Sequence, residues 1–230
     1  MIGIIGAMPE EIERVLFYME DPIVMEHATR TFYQGTIYNH QVVVVLAGIG
    51  KVNAAITTTL LLEQFDVDVV INIGVAGGMN GAEHMDIIVS HSVLYHDVDV
   101  TYFGNYLPGQ IPGLDAEFYA DEELVHAASL ALDRLGYRYH IGRVATGDQF
   151  VYSSEDLLEV NEVYDDIYAV EMEAGAIAQT AHIYNVPFLV LRSISDVLDD
   201  DTQNEDFQEF LVKASDRVND LLLSLLDEVE

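Results

Sequence analysis

Short apolar runs alternate along the chain with longer stretches whose apolar positions recur every three or four residues. The first run, IGIIG at 2–6, ends at glycine, and Pro9 opens a helical pattern, PEEIERVLFYME, as proline suits a helix's first turn. TFYQGTIY and QVVVVLAG flank Asn39-His40 and predict a hairpin. GIGKVNAAITTTLLLEQF predicts a helix behind a glycine-rich turn. DVVINIG is a strand apolar on both faces, followed by the loop VAGGMNG, and DIIVSHSVLYHDVDV is a long strand or strand pair. DEELVHAASLALDRLG predicts an amphipathic helix with an acidic first turn. Then come a strand (YHIGRVATG), a short helix (SSEDLLEVNEV), a strand (DIYAVEME), a helix (AGAIAQTAHIYN) and a strand (VPFLVLRSIS). An acidic amphipathic helix from roughly Glu205 to Leu226 completes the pattern.

Strands alternating with helices, several apolar on both faces, predict one α/β domain over 1–230. Its three layers are a mixed or largely parallel central sheet flanked by helices. No linker, repeat or low-complexity segment interrupts it. Residues 101–119, with Pro108, Pro112, Tyr102, Phe103, Tyr106 and Phe118, form a long loop, and long loops in compact domains tend to be functional.

Composition narrows the partners. Nine basic residues against 40 acidic ones give a net charge of −31, and Lys51 and Lys213 are the only lysines. Such a surface repels nucleic acid and anionic membrane, because phosphate binding needs clustered Lys and Arg. Half the residues are hydrophobic, which argues against disorder. The acidity suits a salty habitat, where molar salt screens self-repulsion. There is no cysteine, hence no disulfide framework or thiolate chemistry. MIGIIGAMPEE lacks the basic region of a signal peptide, and no apolar stretch is long enough to span a bilayer. A cytoplasmic protein is expected. His84, His91 and His96 do not repeat at ligand spacing, so no metal is expected. GIIGAM lacks the full dinucleotide spacing, and no phosphate-binding loop motif occurs. No cofactor is expected.

In open α/β sheets, ligands bind beyond the carboxyl ends of strands. There the sequence places Ala7, Met8 and Glu10-Glu11, then Gly48-Ile49-Gly50, then Val75-Ala76-Gly77-Gly78. Asp148, Phe150, Val151, Met172, Glu173, Ser195 and Asp196 follow. Each has a plainer reading: Glu10 and Glu11 favour any helix N-terminus, Asp196 could be an N-cap, and the glycines could be simple turns. Glu171 and Glu173 are harder to dismiss, since an unpaired buried carboxylate is costly. On a continuous strand both share one face. If the strand ends near Met172, one can pair inside the fold, with Arg192 or Arg143, while the other faces a ligand.

IGIIGAMPEEI, AGIGKVNAA, VINIGVAGG, YHDVDVTYFG, TGDQF, VEMEAGAIA, PFLVLRSISD and DFQEFL occur in order across nearly the whole chain. Together they resemble the 5'-methylthioadenosine/S-adenosylhomocysteine nucleosidases of the nucleoside phosphorylase superfamily, VEMEA followed by RSISD being the most specific part. The resemblance implies a homodimer that hydrolyses the N-glycosidic bond between adenine and a 5'-thio-substituted ribose. It assigns Glu11 as general base for water and Asp196 as the acid that protonates adenine N7, oriented by Ser195. It assigns Glu173 and Met172 to the ribose, Arg192 to the neighbourhood of the attacking water, Val151 to the adenine edge and Phe150 to stacking on the base. Met8, Ile49, Phe103 and Phe207 match the 5'-thio pocket, and Ala7, Val75, Ala76 and Gly77 also belong to the implied binding wall. The 101–119 loop is implied to lie near the dimer interface. Val75 departs from the family's usual serine, and Pro9 from a usual acidic residue.

The chemistry agrees with these roles. Adenine leaves poorly until a ring nitrogen is protonated, a desolvated Asp can hold that proton, and carboxylates stabilise the oxocarbenium-like sugar. Three alternatives remain: a phosphorylase of the same fold, a nucleoside-binding module without catalysis, and a hydrolase for another 6-amino purine nucleoside such as aminofutalosine.

Overall fold

The computed structural model describes residues 1–228. Ten strands form one mixed sheet with helices on its faces. The strands are β1 (Ile2–Gly6), β2 (Glu20–His27), β3 (Arg30–Ile37), β4 (His40–Leu46), β5 (Val69–Gly78), β6 (Ile87–Tyr95), β7 (Phe118–Tyr119), β8 (Tyr139–Thr146), β9 (Ile167–Glu171) and β10 (Phe188–Val197). The α-helices are α1 (Pro9–Tyr18), α2 (Lys51–Gln64), α3 (Glu122–Leu135), α4 (Leu158–Asn161), α5 (Ala174–Tyr184) and α6 (Gln203–Glu228).

The continuous apolar runs are the central strands. β1 pairs in parallel with β4 and β5, and β5 pairs in parallel with β10. β5 also meets β9, so β5, β9, β8, β6 and β10 close a five-strand ring. The predicted hairpin is the antiparallel β3–β4 pair. Beyond it lies a strand absent from the sequence reading: β2, EDPIVMEH, which occupies the open edge. The helix from Pro9 accordingly stops at Tyr18 rather than Glu20. β2 hides no regular face and contains Pro22, which only an edge strand tolerates. β5 runs on through Gly78 where a loop was expected, because β10 pairs with it as far as Val197. The 101–119 segment is mostly irregular, with a short 3-10 turn at Thr101–Phe103 before β7.

Local chemistry sets the helix ends. Asp121 caps α3 by accepting from the Glu123 and Leu124 amides at 3.0 and 3.1 Å, and Gly136 ends it in the left-handed region. α5 is rich in alanine and glycine, which permits close approach. A Cβ on Gly175 would meet the Tyr95 ring at 2.7 Å. Among the described residues no helix is long and apolar enough to cross a membrane.

Candidate active site

One cavity of about 630 Å³ empty volume opens at the carboxyl ends of β1, β5, β9 and β10. Ala7, Met8, Glu11, Ile49, Val75, Ala76, Gly77, Phe150, Val151, Met172, Glu173, Ser195, Asp196 and Phe207 all line it. Two residues named from the sequence do not. Arg192 is 2 % exposed and lies behind the wall. Phe103 stands on the 3-10 turn, 70 % exposed. Gln149, inside TGDQF, and Val170, inside VEMEAGAIA, also line the cavity, as does Leu198, though none of the three is singled out in the sequence. Glu171 lines it too.

Glu11 sits in the first turn of α1, yet its carboxylate is buried and turned back to the main chain. Oε2 accepts from the amides of Ala7 at 2.6 Å and Met8 at 2.9 Å, and Oε1 from that of Val75 at 3.0 Å. The close approach requires Gly74. A Cβ there would stand 2.6 Å from Glu11 Oε1 and 3.3 Å from Arg192 Nη1. Burial raises the Glu11 pKa; the Arg192 charge and the three amides oppose that rise.

The two glutamates of VEMEA separate as the broken-strand alternative required. β9 ends at Glu171, and Glu173 is already the N-cap residue of α5. Glu171 Oε2 takes the Arg192 guanidinium at 2.6 Å and the amides of Glu173 and Ala174 at 2.9 and 2.8 Å, while the Thr146 hydroxyl donates to Oε1. Arg192 also donates to Asn72 Oδ1 at 2.5 Å. Arg143 pairs elsewhere, with Glu117 and Asp166. Glu173 has no such cation. Oε1 accepts from the amide of Gly50, at the start of α2, at 2.7 Å, and Gly50 needs its φ of 95° to aim that amide. Burial and the neighbouring charge of Glu171 push the Glu173 carboxyl up to about 8.

Asp196 follows a register shift between β10 and β5. Ser195 Oγ donates to its Oδ1 at 2.7 Å, and Gln203 Nε2 to its Oδ2 at 2.8 Å. The same Gln203 nitrogen reaches the Val151 carbonyl at 2.8 Å. Burial raises the Asp196 pKa against the two hydrogen bonds and the charge of His84, with Asp206 adding to the rise. Gln203 ties α6 to this acid, a contact that no spacing in the sequence announces. The carboxylate of Glu11 lies over Gly74 and that of Asp196 beside Gly77.

Every charged side chain lining the cavity is thus acidic. Among the described residues no group of three or more His, Asp or Glu is placed to hold a metal ion. Acidic side chains lining one cavity at the rim of a mixed α/β sheet suit chemistry in which positive charge develops on a bound sugar, as in glycosidic-bond cleavage. The family model that matches residues 1–227 is that of the phosphorylase superfamily. A 5'-methylthioadenosine/S-adenosylhomocysteine nucleosidase from Anoxybacillus flavithermus is 43% identical, covering 99% of this chain and 98% of its own. The crystal structure of the nucleosidase of that name from Neisseria meningitidis, in complex with methylthio-immucillin-A, has a TM-score of 0.94 at 37% identity and covers 99% of both chains. Its counterpart from Colwellia psychrerythraea, in complex with adenine, has a TM-score of 0.92 at 38% identity, covering 98% of this chain and 93% of the other. The chain belongs to this superfamily, in the family of the 5'-methylthioadenosine/S-adenosylhomocysteine nucleosidases.

Proposed function

We propose that the protein hydrolyses the N-glycosidic bond of 5'-methylthioadenosine and S-adenosylhomocysteine, releasing adenine and the 5'-thio sugar. The observation that carries this reading is the all-acidic charge of the cavity, with Glu11 and Asp196 both lining it. Asp196, held toward its protonated form by burial, delivers a proton to adenine N7, with Ser195 fixing the other carboxyl oxygen. The Val151 backbone reads the adenine edge and Phe150 stacks on the base. Glu11 draws a proton from the attacking water. Glu173, protonated at neutrality by its raised pKa, hydrogen-bonds the ribose 2'-hydroxyl. As the sugar becomes cationic, nearby carboxyls gain more interaction with the transition state than with the neutral substrate.

Water is favoured over phosphate as the nucleophile. Among the described residues no basic side chain lines the cavity, and Arg192 is bound to Glu171. The ionised Glu11 carboxylate would repel a phosphate dianion. Adenine release from a nucleoside panel, with and without phosphate, tests the reading. Release that requires phosphate, or from aminofutalosine alone, defeats it. A homodimer belongs to the same proposal. Val52 and Ile56 on α2 are exposed, as are Tyr102 and Phe103, and Phe103 completes the 5'-thio pocket of the partner subunit. Sedimentation of Phe103→Ala and wild type, with KM for the methylthio substrate, tests this part.

A further inference from the structure

The rim of the sheet continues past the cavity. From the strand of Asp196 the pairings run β10–β5–β1–β4–β3. At about 4.8 Å between strands, that row spans about 19 Å. On the functional reading above, the purine lies at β10, the ribose across β5 and β1, and the 5'-sulfur at Ile49, just after β4. One strand further out stands Arg30, the first residue of β3. It lines a second, open cleft of about 1010 Å³ empty volume. This cleft begins where the first cavity leaves off: Pro9 follows Met8, and Gly48 precedes Ile49.

Arg30 is anchored toward the cavity. Its Nη2 donates to Asn53 Oδ1 at 2.5 Å and its Nε to Thr57 Oγ1 at 3.0 Å. Asn53 in turn donates to the Ile49 carbonyl at 2.7 Å. Both acceptors of Arg30 are neutral. Among the described residues no carboxylate forms an ion pair with it, in a chain with 40 acidic and 9 basic residues. Glu13, exposed on α1, lines the same cleft. A guanidinium with only neutral partners and a carboxylate lining the same cleft complement a zwitterion.

We propose that this cleft is the subsite for the amino-acid end of a long 5'-thio substituent, with Arg30 taking the α-carboxylate and Glu13 the α-ammonium. The proposal rests on the cavity being a 5'-thionucleoside site and adds the group beyond the sulfur. A methylthio group is too short to reach Arg30. An otherwise acidic surface would repel the tail's carboxylate unless one cation were kept for it.

The test compares adenine release from S-adenosylhomocysteine, methylthioadenosine and the uncharged 5'-butylthio analogue by wild type, Arg30→Met, Arg30→Lys and Glu13→Gln. Arg30→Met should lose about tenfold or more in kcat/KM on S-adenosylhomocysteine, mainly through KM, as expected for a lost charge-assisted hydrogen bond. The two uncharged tails should stay within about twofold. Arg30→Lys should recover part of the loss, and Glu13→Gln should show a smaller loss of the same selectivity. Equal losses on all three substrates, or none, overturn the subsite. Should wild type release adenine from no nucleoside, the hydrolase reading fails by itself. Calorimetric titration of the same compounds into wild type and Arg30→Met then decides the subsite. A preference for the charged tail that vanishes in the variant supports it, and no preference overturns it.

Discussion

Replacing Glu173 by glutamine measures what an acid-lined cavity costs the fold as pH rises. Burial is the main influence on this carboxyl, followed by the charge of Glu171. The Gly50 amide and Arg192 oppose them, and Glu11 adds to the repulsion. The result is displacement from 4.5 to about 8. The folded state therefore holds a proton that the unfolded chain releases near 4.5. Stability from this site is complete below 4.5, falls as pH rises, and is gone above about 8. At about 1.4 kcal/mol for each pH unit, the whole loss is about 5 kcal/mol, of which about 4 kcal/mol falls between pH 5 and 9. Glutamine keeps an oxygen for the Gly50 amide and never ionises. Urea unfolding of both proteins at pH 5, 7 and 9, at constant salt, cancels the background of the net charge. The stability difference should move by several kcal/mol in favour of Glu173→Gln from pH 5 to 9. Curves that stay parallel within about 0.5 kcal/mol, the usual spread for independent sites, would refute the reasoning.

Other expectations follow from the same geometry. Asp196→Asn should slow adenine release by about 10²–10⁴-fold, the usual worth of a general acid, with the melting temperature held; full activity in a stopped assay would remove Asp196 from the mechanism. Gly74→Ala puts a methyl group 2.6 Å from Glu11 Oε1 and should lower kcat by roughly 10²-fold through displacement of the base; unchanged kcat would mean that the Glu11 position is not critical. The net charge of −31 predicts a melting temperature that climbs with KCl into the molar range, and a flat profile by scanning calorimetry would show that self-repulsion is minor.

Much of the framework is legible because its signals are local. The apolar runs of β1, β4, β5 and β10 need no tertiary context, nor does the proline that opens α1. β2 escaped because an exposed edge strand has no alternation to read. The strand at Val75–Gly78 was mistaken for a loop because glycine signals a turn locally. Here those glycines make room for Asp196, Leu198 and Ile194 from neighbouring strands. Most of the cavity wall was readable from the motifs at strand ends. Gln203 was not, since its reach to Asp196 and Val151 depends on how α6 packs. Arg192 lies behind the wall and not on it, because it is held by Glu171, a pairing that the sequence leaves open between Arg192 and Arg143.

The grip on Glu11 comes from the main chain at positions 7, 8 and 75. Any residue but proline at those positions offers the same N–H, so their side chains are free to drift. On the proposed reading, a valine at 75 can therefore reshape the wall beside the sugar without disturbing the carboxylate assigned to the water. Substrate preference and bond cleavage become separately heritable, and a lineage or an engineer can retune the first while leaving the second intact.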